Sequence, residues 1–117
     1  VTILTETVAT AEFISSVANK TRSFETGTLI AGQNLLAGTA LGRITASGKL
    51  TELDTGASDG SEDIVGVLFD NVNAVADTIV TYVARDAELK AALVLADDAV
   101  LAAPEITALA AVGIVLR

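Results

Sequence analysis

What most constrains this chain is how often it is interrupted. Ala31-Gly32-Gln33-Asn34 and Ala46-Ser47-Gly48 carry turn chemistry, and residues 54–63 and 70–77 are polar loops. The stretches between them are too short for helices that could bury a face, and they are rich in β-branched residues. Ile64-Val65-Gly66-Val67-Leu68-Phe69 reads as a buried strand, and Thr78-Ile79-Val80-Thr81-Tyr82-Val83-Ala84 as an alternating one. Residues 41–45 and 49–53 flank Ala46-Ser47-Gly48 as the two halves of a hairpin. Residues 22–30 are extended, with Gly27 a candidate bulge, and residues 91–95 form a weaker strand. The expected fold is therefore mainly β.

The two ends break this pattern. Pro104-Glu105-Ile106-Thr107-Ala108-Leu109-Ala110-Ala111 places Pro at a first helical position with apolar residues at helical spacing, and Gly113 supplies a left-handed cap. One short C-terminal helix is expected there, after a connecting loop containing Asp97-Asp98 and before a last strand, Ile114-Val115-Leu116. Residues 1–19 are rich in Thr and Val and contain no Gly or Pro. Val1, Ile3, Thr5 and Thr7 alternate with Thr2, Leu4, Glu6 and Val8, and neither set is cleanly apolar. This segment reads as an extended N-terminal arm without a partner of its own, with Phe13 and Ile14 as an apolar anchor at its end. The expected division is an arm over residues 1–20 and a single β-rich domain over residues 21–117.

Composition narrows the chemistry. With no Cys and no His among 117 residues, disulfide frameworks, zinc-thiolate clusters, thiol nucleophiles, Ser-His-Asp triads and imidazole metal ligands are all excluded. A formal charge of −8, with seven scattered cations and no basic run, disfavours nucleic acid. No apolar stretch reaches the ~18 residues of a membrane span. The chain is 51% hydrophobic yet only 3% aromatic, so its core is built from small aliphatic side chains that bury little area each. Such a chain is expected to gain stability by self-association.

Leu53-Asp54-Thr55-Gly56-Ala57 resembles the active-site loop of retroviral-type aspartic proteases, in which two Asp side chains of a dimer share one proton. Ala111-Val112-Gly113 could imitate that family's C-terminal segment. Against a protease dimer, Ala57 is followed by Ser58-Asp59-Gly60-Ser61-Glu62-Asp63, which reads as an exposed, flexible acidic turn, and no glycine-rich flap follows. Asp54, Asp59, Glu62 and Asp63 offer oxygen ligands, but their spacing misses the calcium-loop pattern. The glycines form no phosphate-binding motif. No cofactor, metal or catalytic residue is expected.

A further set of segments, in order, is similar to one family across most of the chain: Thr21-Arg22-Ser23; Ala31-Gly32-Gln33-Asn34-Leu35; Gly38-Thr39-Ala40-Leu41-Gly42-Arg43-Ile44-Thr45-Ala46-Ser47-Gly48-Lys49; Ala57-Ser58-Asp59-Gly60-Ser61-Glu62; Ile64-Val65-Gly66-Val67-Leu68; and Leu109-Ala110-Ala111-Val112-Gly113-Ile114-Val115-Leu116-Arg117. These segments resemble the head decoration proteins of tailed bacteriophages, the lambda D type. That family often has Pro and Ala where this chain has Thr55 and Gly56, which makes the protease-like string a variant surface loop. The resemblance implies a small β-clip-like domain that is not an enzyme. It implies a homotrimer on the outer surface of the virion capsid, at three-fold and quasi-three-fold positions, attached after the shell expands, with assembly in the host cytoplasm. Its partner would be the major capsid protein, clamped against the pressure of packaged DNA. In related members the N-terminal arm adds a strand to the capsid protein, so the expected contact residues are Thr2, Ile3, Leu4, Thr5, Val8, Phe13 and Ile14, to which no residue-by-residue match extends.

Overall fold

A computed structural model describes residues 13–17, 20–96, 99–101 and 103–117. The chain runs through β1 (Ile14–Val17), a single helical turn α1 (Lys20–Ser23), β2 (Phe24–Leu29), β3 (Gln33–Leu35), β4 (Ala40–Arg43), β5 (Leu50–Glu52) and β6 (Ile64–Leu68). It continues through β7 (Val72–Ala74), β8 (Thr78–Val83), β9 (Ala87–Leu89), β10 (Leu95–Ala96), β11 (Ala99–Val100), α2 (Ala103–Ala111) and β12 (Ile114–Leu116). The fold is mainly β with one short helix near the C-terminus, as expected.

Five strands close into a barrel in the order β2-β5-β4-β6-β8. The seam is the antiparallel pairing of β8 with β2 along their whole length, from Phe24↔Val83 to Leu29↔Thr78. A second sheet, β1-β9-β12, lies outside the barrel, with β9 antiparallel to β1 and parallel to β12. Each set of strands encloses its own core. Leu29, Leu41, Leu50, Leu68, Val80 and Tyr82 belong to the barrel cluster, whereas Phe13, Val67, Val83, Leu89, Leu109 and Ile114 belong to the second. Successive residues of a strand point to opposite faces, so Val67 and Leu68 on β6, and Tyr82 and Val83 on β8, serve different cores. Burial on both faces is why residues 64–68 are a nearly unbroken apolar run.

The hairpin of β4 and β5 forms as expected, with Gly42↔Thr51 in register. Three expectations are corrected. Gly27 is no bulge, because the β2–β8 register is unbroken; a Cβ there would press on the Leu50 side chain and the Tyr82 ring. The barrel's irregularity falls instead on β6, where the register steps from Leu41↔Gly66 to Gly42↔Ile64 and leaves Val65 as the extra residue. Residues 91–95 do not form one strand: Ala91–Leu93 is a 3₁₀ turn, and Ala87–Leu89, unmarked by β-branching, takes the central place of the outer sheet. Residues 70–77 contain β7, which pairs with β3 from Gln33↔Ala74 to Leu35↔Val72. Asp97 and Asp98 lie outside the described residues.

Candidate interaction surface

The acidic loop after β5 is the first candidate, and three of its carboxylates, those of Asp54, Asp59 and Glu62, are engaged in building it. Asp54 accepts the Gly56 amide at 3.0 Å, Asp59 accepts the Ser61 hydroxyl at 2.5 Å and the Ser61 amide at 3.0 Å, and Glu62 accepts the Gly60 amide at 2.8 Å. The Ser61 hydroxyl bond is the main reason the Asp59 carboxyl lies below the usual carboxylate range. Ser61 is buried, and its carbonyl accepts the Asp54 amide at 3.0 Å while the Thr45 amide reaches the Asp59 carbonyl at 2.8 Å. Gly60 holds φ +105°, and a Cβ there would overlap Thr45. The loop expected to be flexible is thus sewn onto the β4–β5 hairpin. Asp54-Thr55-Gly56 is an exposed turn of this loop, and Gly113 closes α2 against Asp86 rather than against Asp54. A solvent-open groove of about 640 Å³ beside it is lined by polar groups including Gln33, Asn34, Thr51 and Glu52. No cluster of three or more metal-ligating side chains occurs among the described residues.

A second surface runs along the barrel seam. The pairs Thr28↔Ile79 and Thr26↔Thr81 alternate with the inward Val80 and Tyr82, so these four side chains share the outer face. This strip carries no charge, and Ile79, 77% exposed, stands near Val75, 86% exposed, at the corner where β7 turns into β8. Asp77 fastens that corner: it accepts the Ala31 amide at 3.0 Å and the Lys49 ammonium at 2.5 Å, joining three strand connections. The Lys49 bond, with the Ala31 amide second, holds the Asp77 carboxyl below its ordinary value. At the opposite end of the seam, Tyr82 donates to Glu25 at 3.1 Å and accepts from Arg43 at 2.9 Å, and Arg85 pairs with Glu25. Arg85 lowers the Glu25 pKa, whereas burial raises that of Tyr82.

The third surface is the outer sheet and its helix. Arg22 bonds Asp86 at 2.9 Å, and Asp86, at φ +51°, turns the chain from β8 into β9 while its amide meets the Val112 carbonyl at 3.2 Å. β1 forms one edge of this sheet, so the N-terminal segment enters the fold here. Of the expected arm contacts, Thr2, Ile3, Leu4, Thr5 and Val8 lie outside the described residues. Phe13 is fully buried in the domain's own core, its carbonyl accepting the Lys90 amide at 2.7 Å, and Ile14 pairs with Leu89. Of the expected apolar anchor, Phe13 is thus buried in the domain's own core, and Ile14 packs partly buried against the same cluster. The surface that sequence reading passed over is α2, whose signal was present: a nine-residue helix with Glu105 as its one charge.

Against known proteins, the family model for the bacteriophage lambda head decoration protein D matches residues 3–114. No curated protein matches the chain.

Proposed function

The chain belongs to the bacteriophage lambda head decoration protein D family, and from that premise we propose that it is a cement of the phage head. It acts as a homotrimer on the outer surface of the expanded shell, seated at three-fold and quasi-three-fold positions. There it clamps neighbouring major capsid subunits against the pressure of packaged DNA, and it catalyses no reaction. The family match over residues 3–114 carries this reading.

The chemistry of the surface agrees with a binding role. Asp54, Asp59 and Glu62 of the acidic loop cap their own backbone, and the uncharged strip of Thr26, Thr28, Ile79 and Thr81 suits contact between like-charged copies. Three arms on one trimer raise the effective concentration of each, so modest contacts hold tightly together. We assign the arm's role to the segment before Phe13, with Thr2, Ile3, Leu4, Thr5 and Val8 adding main-chain hydrogen bonds to a sheet edge of the capsid protein.

The test mixes the protein with expanded, undecorated heads of the phage that encodes it. Electron microscopy should find added density at the three-fold and quasi-three-fold positions. Heads that stay bare would overturn the proposal.

A further inference from the structure

We propose that the outer wall of the β2–β8 seam lies along the three-fold axis of the trimer, where Val75 and Ile79 of each copy meet the same residues of the other two; this rests on the homotrimer of the decoration reading above. The wall is the open end of a core. Its pairs run from Phe24↔Val83 through Thr26↔Thr81 to Thr28↔Ile79. At the first pair it is covered, since Val83 is buried in the outer-sheet cluster and Phe24 packs against that cluster. Beyond that pair the cover stops. The Phe24 ring stands 5.1 Å from the half-buried ring of Phe69, so two of the chain's three Phe residues sit at the edge of this wall. Beside them Phe24, Thr26 and Thr81, with Glu25, line an open hollow of about 480 Å³. At the far end Val75 and Ile79 are 86% and 77% exposed, and no other large aliphatic side chain among the described residues exceeds 47%. Asp77 fixes the corner that carries them, through the Ala31 amide and Lys49.

Charge identifies the occupant as further copies of this chain. Each copy carries a net −8, so two copies repel wherever their acids face each other. The acidic loop is such a place, because Asp54, Asp59 and Glu62 bond its own backbone and form no ion pair among the described residues. The wall is different. It carries no charge of its own, and the acids at its two ends are neutralised within the copy, Glu25 by Arg85 and Asp77 by Lys49. On a rotation axis every side chain faces its own copies, so a charge there meets a like charge and only an uncharged face fits. A contact with the shell makes no such demand, since unlike partners can set opposite charges against each other. Few charges with aromatic rings is also the composition found at the buried centre of interfaces. The wall is thus the axial part of the contact between copies, and closing it extends the outer-sheet core across three chains.

Ile79→Lys sets three cations around the axis while making each copy less negative, so a loss of association is local and not a gain in overall repulsion. Followed by light scattering through a dilution series, its trimer should dissociate at a concentration at least tenfold higher than that of the unaltered chain, with unchanged circular dichroism. Ile79→Val should assemble normally. Because the chain has no cysteine, Val75→Cys supplies one thiol per copy, and a short bis-maleimide should join its trimers into covalent dimers. Ser58→Cys, exposed on the acidic loop, should give none. An Ile79→Lys trimer as stable as the unaltered one, or Val75→Cys trimers that do not crosslink, would overturn the inference. An Ile79→Lys trimer that keeps its mass but no longer binds expanded heads would overturn it too, since the wall would then face the shell. If the unaltered chain is a monomer at every concentration, the trimer reading itself falls.

Discussion

Phe13 and Gly66 illustrate the same constraint from opposite sides, for one fills a core that has few large residues and the other leaves room where the core has none. Phe13 is completely buried beside Leu89, Val94 and Leu109 in the outer-sheet cluster. Phe13→Ala should destabilise the domain by about 3–5 kcal/mol, read as a lower urea midpoint at fixed protein concentration. At Gly66 an added Cβ would collide with the Val83 carbonyl and the Tyr82 ring. The carbonyl is backbone at the point where β6 meets β8, and it has little freedom to move. Gly66→Ala should cost about 3 kcal/mol by overpacking, whereas Gly48→Ala, with open space around it, should cost less through its positive φ alone. Comparing the two melting temperatures checks the assignment.

At the scale of elements, carboxylates fasten strands and loops at both ends of the barrel. Asp77 ties the connections after β2, β4 and β7 at one end of the barrel, and Glu25 ties β2 to Arg85 at the other. Both carboxyls have folded pKa values below their ordinary ones, through Lys49 and Arg85 first. Depressed carboxylate pKa values contribute stability above the unfolded pKa, near ~4, and lose it as pH falls through the folded value. The melting temperature should therefore stay level from about pH 7 to 5 and drop below about pH 4. Asp77→Asn and Glu25→Gln should each flatten that drop. These pairs are solvent-exposed, so added salt should weaken their effect at pH 7.

For the whole molecule, Phe13 is buried and β1 is paired, so a deletion that stops short of Phe13 spares the outer sheet. Removing residues 1–12 should leave melting temperature and trimer mass unchanged while abolishing or greatly weakening attachment to heads. Removing residues 1–20 takes away Phe13 and an edge of the outer sheet, and should unfold the domain or lower its melting temperature by more than 10 °C, roughly what the loss of one large core residue entails. Light scattering should report three times the mass of the chain; a monomer at all concentrations would overturn the trimer. A truncated trimer that decorates heads with undiminished affinity would remove the arm from the mechanism.

The sequence by itself determined what is encoded locally. Turn residues at 46–48 produced the β4–β5 hairpin, a double-faced apolar run produced β6, and Pro104 with Gly113 bounded α2. It also determined much of the chemistry, since a chain without Cys or His has few ways to catalyse anything, and its ordered segments were enough to mark the family. Only the tertiary structure decided the rest. β7 and β9 are three residues long, too short to carry a period, and exist because β3 on one side and β1 and β12 on the other satisfy their backbone. The fate of Phe13 depended on whether a core stood open beside it. The outward face of α2 depended on which side met β6 and β12, for an apolar helix of one charge looks alike from every direction until its neighbours cover one side.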